Sequence, residues 1–187
     1  MRVIAGKFRS RALKGPGTMR LRPTSDRLRE TLFNVLGPAV EDSLFIDLYA
    51  GTGAVGIEAV SRGARQVILV ESNAKAARLI QQNLAALGIR AEAELIEADA
   101  IASLKRISAR HLLADFIFLD PPYDEADEPD RLLEFLDASH VVAPQGVVIV
   151  EHRTGAELPD RLDRLECVRE LEQGDATLSF YRLAAAA

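Results

Sequence analysis

Apolar and polar positions along the chain change their spacing several times, and each change predicts a new element. Helical spacing of apolar residues begins near Ser25 or Asp26, and it recurs from 72 to 87 before Gly88. Short apolar runs, typical of buried parallel strands, alternate with these helices and predict βαβ units. The first apolar run begins at Leu44, and the others lie at 66–71, 93–97, 115–119 and 146–151. Two further helices are predicted at 101–109 and 132–138.

The last part of the chain has a different pattern. Residues 165–171 and 176–183 alternate apolar and polar side chains on either side of Gly174-Asp175, which predicts an antiparallel hairpin at one sheet edge. The predicted fold class is therefore α/β and Rossmann-like. Its sheet has seven strands and is mostly parallel, with an antiparallel hairpin at the carboxyl end.

The amino-terminal residues predict a small appendage. Apolar and polar residues alternate on both sides of Gly6, which indicates a short two-stranded ribbon with arginines on one side, ended by Pro16 and Gly17. We predict a basic ribbon and loop over 1–22 and a main domain over 23–187.

Composition limits the classes of protein to consider. The 187 residues, 48% hydrophobic and 27% charged, suffice for one buried domain and a small appendage. No apolar run approaches the roughly 20 residues that cross a membrane, and the amino terminus lacks a signal-peptide core. We expect a soluble cytoplasmic protein. Cys167 is the single cysteine, and it and the three histidines lack zinc-site spacing, so we expect no structural metal and no role for these residues.

Charge is distributed unevenly. Residues 1–30 hold nine basic and two acidic side chains, a net +7, whereas the remainder carries −12. Clustered positive charge predicts contact with a polyanion, although a solvated basic tail is the alternative. We expect three arginines near the first helix to face outward or toward the ligand-binding crevice at the strand ends: Arg22, Arg27 and Arg29.

A glycine loop follows the first strand. Gly51 and Gly53 allow a sharp turn and leave no Cβ where a ligand approaches, and Gly56 allows close packing of helix and strand. This spacing alone fits many doubly wound proteins, including dinucleotide oxidoreductases. Asp47 at the strand end would repel a pyrophosphate but could hold an ammonium group. The loop therefore favours a cationic, nucleoside-like ligand without phosphates.

Two further acids follow neighbouring strands. Glu71 lies twenty residues after Gly51, where an acid commonly receives the two ribose hydroxyls of a nucleoside. The alternative is that Glu71 is an ordinary solvated side chain at a strand end, without a ligand. Asp99 is placed to accept from an adenine amino group, with Ala100 supplying a backbone N–H. Asp99 could also be the N-cap of the next helix, and the two roles are compatible.

The fourth strand runs into Asp120-Pro121-Pro122-Tyr123. The prolines make this strand end rigid, and its acceptors are the Asp120 carboxylate and the Pro121 carbonyl. Such acceptors would hold the N–H groups of an exocyclic base amine and free its lone pair, while Tyr123 stacks on the base. The alternative is a strand-terminating turn with a half-buried tyrosine.

Four stretches together resemble the bacterial 16S ribosomal RNA guanine-N2 methyltransferase family, whose target is guanine 966. They are Met1-Arg-Val-Ile-Ala-Gly-Lys-Phe, the stretch 21–36 with Arg-Pro-Thr-Ser-Asp-Arg-Leu-Arg-Glu, the stretch 47–64 around the glycine loop, and Asp120-Pro-Pro-Tyr. The resemblance covers nearly the whole chain. It implies a class I S-adenosylmethionine-dependent methyltransferase that acts on 16S ribosomal RNA. The substrate is either free RNA or RNA within the assembling or assembled small subunit, and so large a substrate would suit a monomer.

The resemblance also implies roles for particular residues. Catalytic roles fall on Asp120, Pro121, Pro122 and Tyr123. Cofactor contacts fall on Asp47, Tyr49, Ala50, Gly51, Thr52, Gly53, Glu71, Ser72, Asp99 and Ala100. RNA contacts fall on Lys7, Arg9, Arg11, Arg22 and Arg27. The chain departs from the family pattern at Tyr49, Thr52, Val55 and Gln173.

Two other interpretations remain open. A DNA adenine-N6 or protein glutamine methyltransferase would share the Asp-Pro-Pro-Tyr segment, but these enzymes usually carry a substrate domain for which this chain has no room. A Rossmann-like nucleic-acid-binding protein without turnover is the non-enzymatic alternative, and the intact Asp120 segment argues against it.

Overall fold

The computed structural model describes residues 1–17, 24–125 and 127–185. The α-helices are α1 (Asp26–Leu36), α2 (Ala54–Ser61), α3 (Ala74–Leu87), α4 (Ala100–Ala109) and α5 (Glu128–Ala138). The strands are β1 (Leu44–Leu48), β2 (Gln66–Val70), β3 (Ala93–Ile96), β4 (Ala114–Leu119), β5 (Val142–Arg153), β6 (Leu165–Gln173) and β7 (Ala176–Leu183). Short 3-10 helices lie at Gly6–Phe8 and Gly37–Val40.

The seven strands form one mixed sheet in the order β3-β2-β1-β4-β5-β7-β6. Strand β2 pairs in parallel with β1 and β3, and β4 pairs in parallel with β5. Strand β7 is antiparallel to both β5 and β6. The predicted fold class, including the carboxyl-terminal hairpin, is confirmed. Compactness divides the chain into two units, Met1–Ala100 and Ile101–Ala187. The predicted boundary at residue 22 lies outside the described residues and stays a prediction.

Helix α1 begins where its sequence predicts. The Ser25 hydroxyl accepts the N–H of Leu28 at 3.1 Å, which satisfies one of the amide donors left unpaired at a helix start. Leu28, Leu32 and Leu36 form the buried stripe of the helix. Phe33, on the same helix, stacks on Phe45 of β1 with ring centroids 5.9 Å apart, so α1 is packed into the core of the first unit.

The amino-terminal segment corrects the predicted ribbon. Its described part, 1–17, contains one antiparallel bridge, between Arg2 and Ala12, and a 3-10 helix instead of two strands. The reason is that two backbone N–H groups do not take part in strand pairing. The N–H groups of Ile4 and Ala5 donate to the Glu58 carboxylate at 2.8 and 2.9 Å. We call residues 1–17 the arm.

Arg29 also contradicts expectation, because it is fully buried rather than facing outward or toward the ligand-binding crevice. Its Nη2 donates to the Arg2 carbonyl at 2.5 Å and to Asp26 Oδ1 at 3.1 Å. Its Nε lies 3.9 Å from Glu58 Oε2, and Glu58 is itself fully buried. Burial of a guanidinium needs a nearby counter-charge, and Glu58 on α2 provides it.

Further contacts fasten the arm to α2 and α3. The N–H of Phe8 donates to the Ser61 hydroxyl at 2.9 Å, and that hydroxyl donates to the Ala5 carbonyl at 2.5 Å. Asn83 accepts the Lys14 N–H at 2.8 Å and donates to the Lys14 carbonyl at 3.2 Å. The arm is therefore part of the first unit.

The second unit extends two predicted elements. Helix α5 begins at Glu128 rather than 132, since Pro129 in its first turn has a helix-compatible φ and needs no N–H partner. Strand β5 extends in both directions beyond the predicted 146–151. Asp137 accepts the N–H groups of Arg164 and Leu165 at 2.8 and 2.7 Å and so holds the start of β6 to the end of α5. Within the described ranges, no helix has the length and apolarity to cross a membrane.

Gly6 tests how tightly the arm is packed. A Cβ at Gly6 would lie 1.8 Å from the Ser61 carbonyl oxygen, and the residue has φ +77°. We expect Gly6→Ala to lower the free energy of unfolding by about 1–3 kcal/mol in urea denaturation. Gly15→Ala is the control, because nothing in the described part of the chain lies within 4 Å of its Cβ position. An equal effect of the two substitutions would contradict this packing.

Candidate active site

The glycine loop joins β1 to α2 through a run of left-handed backbone. Tyr49, Gly51 and Gly53 have φ of +64°, +55° and +78°. Tyr49 is a non-glycine residue in this region, which costs free energy and is typical of functional loops. The N–H of Ala50 donates to the Val70 carbonyl at 2.9 Å, so the loop is also held by the end of β2.

Gly51 and Gly53 have different surroundings. Among the residues that the structure describes, a Cβ at Gly51 would meet only the Tyr49 carbonyl, at 3.8 Å, so these residues leave space above it. A Cβ at Gly53 would lie 3.3 Å from Ile80 and 3.4 Å from Ile57. The missing side chain thus leaves space at Gly51, whereas at Gly53 it serves packing and the turn. Contact of either residue with a ligand stays a prediction.

Gly56 allows the close helix–strand packing that was predicted, but the strand it faces is β2 rather than β1. Its Cβ position lies 2.7 Å from Leu69 Cδ2 and 3.0 Å from Val67 Cγ1. Asp47, buried within β1, accepts the Gly56 N–H at 2.8 Å through Oδ2. This bond satisfies an amide in the first turn of α2 and fixes the direction of that helix. The predicted contact of Asp47 with an ammonium group stays a prediction.

Glu71 joins the glycine loop to the start of α3. It is nearly buried, its Oε2 accepts the Gly51 N–H at 2.9 Å and its Oε1 accepts the Asn73 N–H at 2.7 Å. An ionised carboxylate has about four acceptor positions, so both oxygens can still receive hydroxyl donors. The structure thus brings together two predicted cofactor residues that are twenty positions apart in sequence.

The remaining predicted cofactor residues lie on the same unit. Ser72 is exposed after Glu71, and Asp99 is exposed immediately before α4, of which Ala100 is the first residue. Thr52 is buried, and its hydroxyl lies 3.6 Å from Met1 Sδ. Its carbonyl accepts the Asn83 side-chain N–H at 3.0 Å. Asn83, which sequence reasoning missed, therefore links this loop to the arm.

In the second unit, Asp120-Pro-Pro-Tyr follows β4 directly. Asp120 and Tyr123 are half-buried, Pro121 is buried and Pro122 is exposed. The Pro122 carbonyl accepts the Glu125 N–H at 3.0 Å, which closes a turn after the prolines. The Asp120 carboxylate thus comes at the end of a buried strand, as predicted.

Arg153 is a second residue that sequence reasoning missed. Its guanidinium lies 5.5 Å from the Tyr123 ring centroid, within the range of a cation–π contact. The contact holds one face of the ring and fixes its orientation. Arg153 is the last residue of β5, two positions beyond the predicted strand. A longer strand prediction would have placed it at the carboxyl end of β5.

The predicted RNA-contacting residues are exposed wherever the structure describes them, namely at Lys7, Arg9, Arg11 and Arg27. Arg22 lies outside the described residues. Lys7 Nζ lies 3.9 Å from Glu92 Oε1, and backbone N–H donors lower the pKa of Glu92, which keeps this partner ionised. Among the described residues, no group of three or more histidine, cysteine or acidic side chains could hold a metal ion.

Strand order, glycine loop and acidic strand ends together define a class I S-adenosylmethionine-dependent methyltransferase fold. Residues 1–182 match the family model described as Conserved hypothetical protein 95. The chain is 31% identical to ribosomal RNA small subunit methyltransferase D of Escherichia coli, over 97% of this chain and 89% of that protein. The chain belongs to the family of ribosomal RNA small subunit methyltransferase D, as its sequence predicted.

Other relatives agree with this assignment. Bacillus subtilis YlbH, named as a candidate rRNA methyltransferase, is 34% identical over 97% of this chain and 98% of its own length. The solved structure of the candidate methyltransferase yhhF from Escherichia coli superposes with a TM-score of 0.86 and 31% identity, covering 100% of this chain and 99% of that one.

The packing of Gly56 against β2 can be tested by substitution. Gly56→Ala should lower the free energy of unfolding by about 1–3 kcal/mol, because the new methyl group meets Leu69 at 2.7 Å. Leu69→Ala removes the side chain that clashes. The free energy of unfolding lost in the double variant should therefore be smaller than the sum of the losses in the two single variants. Strictly additive losses in urea denaturation would contradict the proposed contact.

Proposed function

We propose that the protein transfers a methyl group from S-adenosylmethionine to the exocyclic N2 of a guanine in 16S ribosomal RNA, with guanine 966 as the target. The observation that carries this proposal is the joint presence of a glycine loop fixed by Glu71 and an Asp-Pro-Pro-Tyr strand end. Membership of the rRNA methyltransferase family supports it.

The residues after β1, β2 and β3 fit S-adenosylmethionine. They offer carboxylates, backbone groups and the open space at Gly51, and the segment 47–53 contains no basic residue. Such a donor set repels a pyrophosphate, but it suits an ammonium group, ribose hydroxyls and an adenine amine. We assign these contacts to Asp47, Tyr49, Ala50, Gly51, Thr52, Gly53, Glu71, Ser72, Asp99 and Ala100.

When bound, the cofactor supplies a methyl group that leaves its sulfonium sulfur by direct in-line displacement. The protein contributes position and electrostatics. The Asp120 carboxylate and the Pro121 carbonyl accept the two N–H bonds of the guanine N2 amine, whose lone pair is otherwise delocalised into the base. This draws the nitrogen toward tetrahedral geometry and makes it a better nucleophile.

Tyr123 holds the base by stacking. Because Arg153 lies over one face of its ring, the other face is the one we assign to the guanine. Pro122 restricts the backbone at this position, so Asp120, Pro121 and Tyr123 keep a fixed relation. The target base must leave its own stack to reach these groups, as for other enzymes that act on bases.

The basic amino-terminal region supplies RNA affinity in this proposal. Lys7, Arg9, Arg11, Arg22 and Arg27 contact phosphates, and we propose 1–22 as the RNA-binding part and 23–187 as the catalytic part. Clustered arginines attract a phosphate backbone even when the whole chain carries −5. The proposed substrate is 16S RNA in the assembling or assembled small subunit, and the proposed state of the protein is a monomer in the cytoplasm.

Asp120→Ala separates chemistry from cofactor binding. We expect methyl transfer to fall by at least about 100-fold, because the amine loses its charged acceptor, while affinity for S-adenosylmethionine changes less than twofold. Single-turnover transfer and calorimetric titration measure the two quantities. Asp124→Ala, an exposed acid in the next turn, is the matched control and should retain activity. Transfer by Asp120→Ala at the rate of this control would refute the role of Asp120.

The nucleoside product tests the substrate assignment. Purified protein would be given labelled S-adenosylmethionine with small subunits that lack the modification, with protein-free 16S RNA, or with DNA. We expect N2-methylguanine in ribosomal RNA, and the rate on each form shows which one is recognised. If the label appeared in DNA as N6-methyladenine, the cofactor assignment would stand and the assignment of ribosomal RNA as substrate would be wrong.

A further inference from the structure

A cleft of about 490 Å³ lies between the arm and the beginning of α1. Its polar lining consists of three arginines, a serine and two acids: Arg2, Arg9, Arg27, Ser10, Asp26 and Glu30. This volume is within the range of about 300–1,000 Å³ typical of small-ligand sites. The cleft belongs to the first unit and involves none of the residues assigned to the cofactor.

The walls of the cleft are held by buried contacts. The buried Arg29 donates to the Arg2 carbonyl and to Asp26 Oδ1, which ties the arm to the first turn of α1. Val3 is buried, and its N–H and carbonyl pair with Arg11 and Ser10 at 3.0 and 2.9 Å. The cleft therefore exists before any ligand binds, which lowers the entropic cost of binding.

The three arginines that face the cleft have no acidic partner among the described residues. The side chains of Arg2, Arg9 and Arg27 are exposed and form no ion pair with any residue in 1–17, 24–125 or 127–185. Three guanidinium groups around one opening repel one another, and an anion between them relieves that repulsion. Guanidinium groups also bind phosphate in a bidentate manner and stack on bases.

The two acids of the cleft differ. Asp26 is engaged by Arg29, whereas the exposed Glu30 makes no hydrogen bond or ion pair with the part of the chain that is described. A free carboxylate beside arginines is unsuited to binding phosphate alone. It can accept from the amino group of a base, as carboxylates do from cytosine N4.

We propose that this cleft binds one unpaired nucleotide of the RNA, its phosphates on Arg2, Arg9 and Arg27 and the amino group of its base on Glu30. The inference rests on the proposed function, since it takes RNA as the substrate. Single-stranded RNA is recognised in this way, with bases splayed out and read on their Watson–Crick edges. The cleft gives the arm a role in selecting RNA as well as attracting it.

The double variant Arg2→Ala/Arg27→Ala tests the phosphate contacts. Arg65→Ala/Arg90→Ala is the matched control, because it removes two exposed arginines of the same unit that do not line the cleft. We expect the first variant to bind protein-free 16S RNA about tenfold more weakly and to reduce the salt slope by about 1.4. Affinity for S-adenosylmethionine should stay unchanged. RNA affinity and salt slope equal to those of the control would overturn the proposal.

Glu30→Gln tests the base contact. The wild-type protein should bind a short oligocytidine about tenfold more tightly than an oligouridine of equal length, because only cytosine offers an amino group. The amide of Glu30→Gln can accept from cytosine N4 or donate to uracil O4, so this variant should lose the preference and keep the salt slope, whereas Glu41→Gln, an exposed control, should keep both. Absence of the preference in the wild type, or its survival in Glu30→Gln, would overturn the assignment. Failure of the wild type to methylate 16S RNA would instead overturn the proposed function and leave these binding results standing.

Discussion

The buried carboxylate of Glu58 is the contact on which the first unit depends. An ionised group without exposure to water is stable only when hydrogen bonds and counter-charges surround it. Glu58 receives the N–H groups of Ile4 and Ala5, the Arg62 guanidinium at 2.9 Å, and the charge of Arg29 at 3.9 Å. One side chain thus gathers the start of the chain, helix α1 and helix α2.

This arrangement joins three of the sequence stretches that carry the family resemblance. The stretch 1–8 supplies the amides that Glu58 binds, the stretch 21–36 supplies Arg29, and the stretch 47–64 supplies Glu58, Ser61 and Arg62. Helix α2, which holds the arm, begins directly after the glycine loop, with Gly53 at its N-cap. The proposed cofactor and RNA sites therefore share a support, and Asn83 adds a second link by binding both Thr52 and Lys14.

Local sequence patterns predicted the elements and the loop, because glycine spacing, apolar periodicity and capping residues act within a few positions. Gly51, Gly56 and the hairpin at Gly174-Asp175 are examples. Contacts between distant residues escaped prediction. Arg29 looked like one more exposed arginine until Glu58, 29 positions later, gave it a counter-charge. The contact of Glu71 with Gly51 and that of Arg153 with Tyr123 likewise depend on the fold.

Hydrogen exchange at Ile4 and Ala5 tests the role of Glu58 most directly. These amides lie in a segment with a single strand bridge, so regular secondary structure does not protect them. Because both donate to a buried carboxylate, we predict slow exchange by NMR in the wild-type protein. In Glu58→Gln, which has one side-chain carbonyl, at least one of the two should exchange faster while the amides of α3 stay protected. Exchange at the rate of fully exposed amides in the wild type would contradict the account.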